Sequence, residues 1–127
     1  MIPRRPLFAV AVMILAGLAC NSSTDDGGGG NTPVADVLIV PGANTKGALA
    51  FDPNPFTVTL TAGSATVKWG SNDNVAPHRV RADGASPLFD SPQLRKGQTY
   101  SFTFTSTGTY TYHCFIHATM VGTIQVN

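Results

Sequence analysis

Residues 108–126 read GTYTYHCFIHATMVGTIQV, and this stretch carries the clearest structural signal in the chain. Tyr110, Tyr112 and Cys114 alternate with polar residues, which predicts a β-strand with these three side chains on one face. A second alternating run closes the chain at 121–126. We therefore expect the residues between the two runs to form a turn that leads into the last strand of a β domain.

The same period of two recurs through residues 34–127, a length that can bury a modest core. Alternating or mostly apolar runs lie at 34–40, 56–60, 65–69, 78–81 and 100–104. β-Branched and aromatic residues dominate these runs, turn residues separate them, and no run has a helical period. We predict an all-β fold, a Greek-key β-sandwich or barrel, with Trp69 in its core.

The strand pattern predicts that several side chains with nitrogen or sulfur donor atoms lie close together. Cys114, His117 and Met120 follow the spacing Cys-x-x-His-x-x-Met, and His78 begins an upstream run on the same face as Val80. Two imidazoles, one thiolate and a weak axial thioether form a ligand set that suits copper in both of its common oxidation states. We predict that His78, Cys114, His117 and Met120 bind one copper ion, Cu(I) or Cu(II), at one end of the sandwich.

Two other interpretations of these residues are open. Without a metal, Cys114 would be a small buried apolar residue, His117 a loop residue and Met120 core filler. Zinc also accepts cysteine and histidine, but structural zinc sites usually hold more thiolates and thioether is a poor zinc ligand. A methionine at this spacing therefore favours copper over zinc.

His113 lies between Tyr112 and Cys114, so strand alternation turns its side chain to solvent. We expect it to be a solvated surface residue. The alternative is that it marks a docking or electron-entry surface, because its backbone continues directly into Cys114.

The N-terminus has the features of an export signal over residues 1–19. Arg4 and Arg5 precede an apolar run that is too short to span a bilayer as a helix. Small residues then lead to the first cysteine of the chain. We predict that this segment is a signal peptide and that the protein is exported to the periplasm or the outer cell envelope.

The end of the signal sequence, LAGLAC at 15–20, resembles a bacterial lipobox. Cys20 would then become a lipid-modified first residue that anchors the protein to a membrane. Cleavage by an ordinary signal peptidase after Ala19 is the alternative. The Gly- and Ser-rich residues 20–33 follow as a flexible tether, and residues 34–127 form the folded domain.

Charge and cysteine content limit the remaining possibilities. Six of the eight Lys and Arg residues follow Cys20, against seven acidic residues that are all aspartate. This near balance gives no electrostatic footprint for nucleic acid. A disulfide between Cys20 and Cys114 would be the usual explanation of two cysteines in an exported chain. Such a bridge would leave the spacing of His117 and Met120 unexplained.

Taken together, these motifs resemble the cupredoxins of the plastocyanin, pseudoazurin and amicyanin type. The resemblance covers nearly all of residues 34–127, and the Cys-x-x-His-x-x-Met spacing is similar to the short ligand loop of amicyanin. It is carried by Phe51-Asp52-Pro53, Val67-Lys68-Trp69, Asn72-Asp73, Pro77-His78-Arg79-Val80, Phe89-Asp90-Ser91, Gly97, the Tyr110–Met120 string and the closing Val121-Gly122-Thr123-Ile124-Gln125-Val126.

The resemblance implies a type 1 copper centre with His78, Cys114 and His117 as ligands and Met120 in the axial position. It implies that the edge of His117 is exposed within an apolar patch where redox partner proteins dock. Residues such as Pro77, Phe115, Ile116 and Ala118 would form that patch. Where the family often has Asn two residues after the strand tryptophan, this chain has Ser71, with Asn72 one place later, so the hydrogen bonds around the Cys114 loop do not follow from the resemblance.

We therefore expect a monomeric, membrane-tethered carrier of single electrons rather than an enzyme, because the four ligands leave no open coordination position. The alternative is a module that sequesters or delivers copper at the envelope. Such modules usually carry Met- or His-rich strings, whereas this chain has one methionine after residue 20.

Overall fold

The structure, a computed structural model, describes residues 32–127. The predicted signal peptide, Cys20 and all but the last two residues of the predicted tether lie outside this range. Within it, eight strands and two one-turn 3-10 helices form the fold. The strands are β1 (Val37–Ile39), β2 (Phe51–Asp52), β3 (Phe56–Val58), β4 (Ala65–Ser71), β5 (Val80–Ala82), β6 (Thr99–Phe104), β7 (Gly108–Cys114) and β8 (Val121–Val126).

The strands form two four-stranded sheets that face each other. One sheet has the order β2-β1-β4-β6 and the other has the order β3-β8-β7-β5. β1 runs parallel to β4 and β3 runs parallel to β8, whereas the remaining pairs are antiparallel. The predicted all-β sandwich is therefore confirmed.

The core between the sheets is aromatic at its centre. Trp69 is fully buried and meets the Tyr112 ring edge-on, with 5.6 Å between the ring centroids. Phe89 packs at a tilt against Trp69, with 5.1 Å between the ring centroids, and also contacts Tyr112, at 6.0 Å. The predicted position of Trp69 in the core is confirmed. Burial of such large apolar side chains is the main term that stabilises a domain of this size.

Two features differ from the sequence predictions. The first run was expected to be a strand over 34–40, but strand geometry covers only Val37–Ile39. Residues Ala43–Thr45 and Gly47–Ala50 form 3-10 helices, although no helix was expected. One turn of 3-10 helix is too short to produce a periodic pattern, so the sequence carries no signal for it. Within residues 32–127, no helix is both long and apolar enough to cross a membrane.

Candidate metal centre

The predicted metal ligands lie at one end of the sandwich. Cys114 is the last residue of β7, and His117 and Met120 lie in the loop that leads into β8. Antiparallel pairing places Val80 opposite Cys114, which brings the residues just before β5 beside the end of β7. His78 precedes β5 and pairs with Leu94 in an isolated β-bridge, so it lies next to the strand predicted for it rather than inside it.

The structure brings three of the four predicted ligands together. The Sγ atom of Cys114 lies 3.7 Å from Nδ1 of His78 and 3.7 Å from Nδ1 of His117. All three donor atoms lie within 4.8 Å of one another. Bonds of about 2.0 Å to nitrogen and about 2.3 Å to sulfur, at about 120°, would hold the nitrogen and sulfur about 3.7 Å apart. The spacing therefore fits one first-row metal ion in a near-trigonal frame.

Met120, the last residue of the loop between β7 and β8, is fully buried. Three backbone hydrogen bonds close the loop: Cys114 N–H donates to the Met120 carbonyl (2.9 Å), His117 N–H to the Cys114 carbonyl (3.2 Å) and Met120 N–H to the His117 carbonyl (2.9 Å). This turn fixes Met120 against the end of β7. Its assignment as axial ligand remains a prediction.

The surroundings of Cys114 favour the thiolate, the form that binds metals. Burial alone raises the pKa of the thiol, but hydrogen bonds with His78, the Arg79 N–H and His117 outweigh it and lower the pKa to about 6. The Arg79 amide nitrogen lies 3.4 Å from Sγ. This hydrogen bond comes from the backbone of the residue that follows the first histidine, and it involves neither Ser71 nor Asn72.

Asp73 is the residue that sequence reasoning missed. Its buried carboxylate accepts a hydrogen bond from Nε2 of His78, with 2.7 Å between the two atoms. Burial opposes ionisation, but hydrogen bonds from the Val75 amide, His78 and the Gly42 amide hold the pKa of Asp73 below its usual value. Burial alone would lower the pKa of His78, but its interactions with Cys114 and Asp73 outweigh burial, and the pKa lies above its usual value. Asp73 lies in a polar loop, where no periodic pattern indicates which side chains point inward. The only signal in the sequence was its position five residues before His78.

An aromatic and ionic cluster packs on the outer side of the site. The Arg79 guanidinium donates two hydrogen bonds to the Asp90 carboxylate, at 2.7 and 2.6 Å. Both Arg79 and Arg81 lie over the Phe115 ring, at 4.9 and 5.1 Å from its centroid. Because Arg79 follows His78 and Phe115 follows Cys114, these contacts join the two ligand segments outside the site.

The residues that were predicted to lie at the surface are exposed to different degrees. Phe115 and Ile116 are 51% and 40% exposed, and His117 is half-buried. His113 lies on the outward face of β7, where Nδ1 is 2.5 Å from the Asp83 carboxylate. Its side chain is 30% exposed, so it is a paired surface residue rather than a freely solvated one.

A two-sheet sandwich with a His-Cys-His cluster at one end defines a class of small β domain that is built around one soft metal ion. Residues 39–127 match the model of the copper binding proteins of the plastocyanin/azurin family. The chain belongs to this family, and its cofactor is one copper ion.

Individual relatives agree with this assignment. Amicyanin-alpha of Methylorubrum extorquens is 40% identical over 72 residues, which are 54% of this chain and 59% of the relative. The matched part of the chain thus spans little more than half of that amicyanin. Plastocyanin of Scenedesmus fuscus is 38% identical over 102 residues, which are 72% of this chain and 99% of the relative. A purple cupredoxin from Nitrosopumilus maritimus has a similar structure, with a TM-score of 0.64 at 26% identity, covering 74% of this chain and all of the other.

Proposed function

We propose that this chain is a type 1, or blue, copper protein that carries single electrons at the bacterial cell envelope and is not an enzyme. The observation that carries the proposal is the pair of 3.7 Å separations between Cys114 Sγ and the Nδ1 atoms of His78 and His117. With Met120 as a weak axial ligand, these residues would hold the copper ion. When bound there, copper supplies a one-electron Cu(I)/Cu(II) couple.

The residues around the site support fast electron transfer because they hold the ligands in place. Backbone hydrogen bonds close the loop from Cys114 to Met120, and the Asp73 carboxylate fixes the ring of His78. Ligands that the protein holds in place would move little when the copper ion changes its oxidation state. His78 is fully buried whereas His117 is half-buried, so His117 offers the shorter route to the surface.

We further propose that redox partner proteins dock on the surface around His117. Large apolar side chains are exposed in the segments that carry the ligands: Phe115 at 51%, with two arginines over its ring, Ile116 at 40% and Val75 at 70%. Pro77 and Ala118 extend this surface, which we call the docking surface. Single exposed apolar residues are common on soluble proteins, whereas a contiguous group of them usually marks an interaction site.

The first test is the visible absorption spectrum of the purified protein after addition of one equivalent of Cu(II). We expect an intense blue or violet band from the thiolate–copper bond, followed by reversible one-electron reduction and fast electron self-exchange. A colourless protein with the Cys114 thiol still open to titration would contradict the proposal. Slow self-exchange together with ready transfer of Cu(I) to a chelator would support the copper-delivery alternative instead.

The envelope location is also a proposal, and it rests on the sequence of the first 33 residues. We propose that residues 1–19 direct export, that Cys20 carries a lipid and that residues 20–33 tether the copper domain, 34–127, to a membrane. Mass spectrometry of the N-terminal peptide from the natural host tests this. A diacylated Cys20 is the expected result, whereas an unmodified N-terminus at Cys20 would show that the protein is released.

A further inference from the structure

Asp73 is a buried carboxylate on the far side of the His78 ring from Cys114. It lies in the loop after β4 and is 1% exposed. Its Oδ2 atom is 2.7 Å from Nε2 of His78, and both side chains are fully removed from solvent. The other ring nitrogen, Nδ1, faces Cys114 Sγ at 3.7 Å. The imidazole therefore lies between a carboxylate and the position of the metal.

The hydrogen bonds around Asp73 require a carboxylate rather than an amide. Oδ1 accepts hydrogen bonds from the amides of Gly42 (3.1 Å) and Val75 (2.9 Å). Oδ2 accepts one from the Ala43 amide (3.3 Å) in addition to that from His78. An ionised carboxylate has about four acceptor positions and no donor, so four N–H groups satisfy it fully. An asparagine would direct its own NH₂ group at two of these N–H donors.

This arrangement fixes which nitrogen of His78 binds a metal. The amide donors already fill the other acceptor positions of Asp73, so Nε2 must bring a proton to it. An imidazole that donates from Nε2 leaves the lone pair of Nδ1 available to a metal ion. A ligand histidine that donates its second N–H to a carboxylate is also a better electron donor.

We propose that Asp73 is a positioning residue that holds His78 in its Nδ1-binding form and places a fixed negative charge one imidazole ring away from the copper, which favours Cu(II) over Cu(I). This inference rests on the proposed copper site. The charge acts through a buried ring, where solvent screens it little. Among residues 32–127, His117 has no comparable carboxylate partner, so the two histidines differ: His78 is fixed from inside and His117 is left open toward the surface.

The test compares Asp73→Asn and Asp73→Ala with the wild-type protein, using Cu(I) and Cu(II) as the probes. Loss of a hydrogen-bonded partner of a ligand histidine typically weakens metal binding about 10–100-fold. We expect a loss of this size for Cu(II) and a smaller one for Cu(I), and therefore a raised reduction potential. A tenfold difference between the two losses corresponds to about 59 mV for a one-electron couple.

Asp52→Asn is the matched control, because it removes the same charge from an exposed position of β2. We expect its copper affinities and potential to equal those of the wild type. Equal values in Asp73→Asn and Asp52→Asn would overturn the role of Asp73 while leaving the copper site intact. A wild-type protein that binds no copper would instead overturn the proposed function, and the inference with it.

A measurement on the wild type keeps the proposal testable if the Asp73 variants do not fold. In the Cu(I) protein, ¹⁵N NMR should show a proton on Nε2 of His78 that exchanges with solvent far more slowly than that on Nε2 of His117. A His78 ring without a proton on Nε2, or one whose Nε2 proton exchanges as fast as that of His117, would overturn the proposal.

Discussion

The backbone N–H of Arg79 donates a hydrogen bond to the Sγ atom of Cys114, with 3.4 Å between nitrogen and sulfur. The same Arg79 accepts a hydrogen bond at its carbonyl from the Phe115 amide, at 2.8 Å. These two bonds lock the residue that follows the first histidine ligand to the residues at and after the cysteine. The backbone thus helps to position the Sγ donor atom, and a protein that positions its donor atoms can hold a soft, weakly directed ion in one geometry.

Replacing Cys114 with serine should abolish the blue colour. Serine fills nearly the same space and its oxygen can still accept the Arg79 amide, but it offers no thiolate to the metal. We expect Cu(II) affinity to fall by more than the 10–100-fold loss that is typical of an outer hydrogen-bond partner. Absorption and isothermal titration measure both effects. Cys20→Ser is the control and should keep the full band; a Cys114→Ser protein that stays blue would contradict the ligand assignment.

Replacing Met120 with leucine should keep copper bound and raise the reduction potential. The two side chains have similar volumes, so this buried site should lose less than about 1.5 kcal/mol in the free energy of unfolding. Loss of an axial donor destabilises Cu(II) more than Cu(I), because the more highly charged ion depends more on electron donation. Voltammetry gives the potential. Ile124→Leu, a core change in β8, should leave it unaltered, and an unaltered potential in Met120→Leu would argue against axial ligation.

The sequence predicted the class of fold and the region of the site, but it did not predict the loops. Alternation in β7 placed Cys114 and Tyr112 on the inner face, and both are buried. Periodicity describes regular strands, however, and Asp73 lies in an irregular loop whose path depends on contacts with residues 42 and 43, thirty positions earlier. The pairing of His113 with Asp83 was missed for the same reason, since it joins residues on different elements.

Replacing Ser91 with alanine should destabilise the fold beside the site. The Oγ atom of this buried serine accepts a hydrogen bond from the Val80 amide (3.0 Å) and donates one to the Pro92 carbonyl (2.7 Å). Alanine would leave the buried Val80 N–H without a partner, at a cost of about 1–3 kcal/mol. Urea unfolding of the copper-free protein measures this loss.

The exposed Ser101 of β6 provides the matched control for that experiment. Ser101→Ala removes a hydroxyl of the same kind from a solvated position, where the change in the free energy of unfolding should stay within about 0.5 kcal/mol. If both variants lose the same stability, the buried hydrogen bond of Ser91 does not contribute as the structure indicates.

Replacing Arg95 and Lys96 with glutamine should slow electron transfer to negatively charged oxidants. Both residues are exposed and line a shallow depression together with Val75 and Pro77 of the docking surface. Positive charge beside the docking surface raises the local concentration of anions and so the rate of encounter. In stopped-flow oxidation of the Cu(I) protein, the double variant should react more slowly than the wild type with ferricyanide, and faster with a tris-phenanthroline cobalt(III) cation.

Salt dependence separates this effect from a change at the copper. The difference between variant and wild type should shrink as ionic strength rises to about 0.15 M and beyond, where charges are screened within about 8 Å. Lys68→Gln, in the middle of β4, is the control and should change the two rates much less. Equal slowing with both oxidants, or a difference that persists in high salt, would mean that the substitutions altered the site itself and that Arg95 and Lys96 do not guide partners to it.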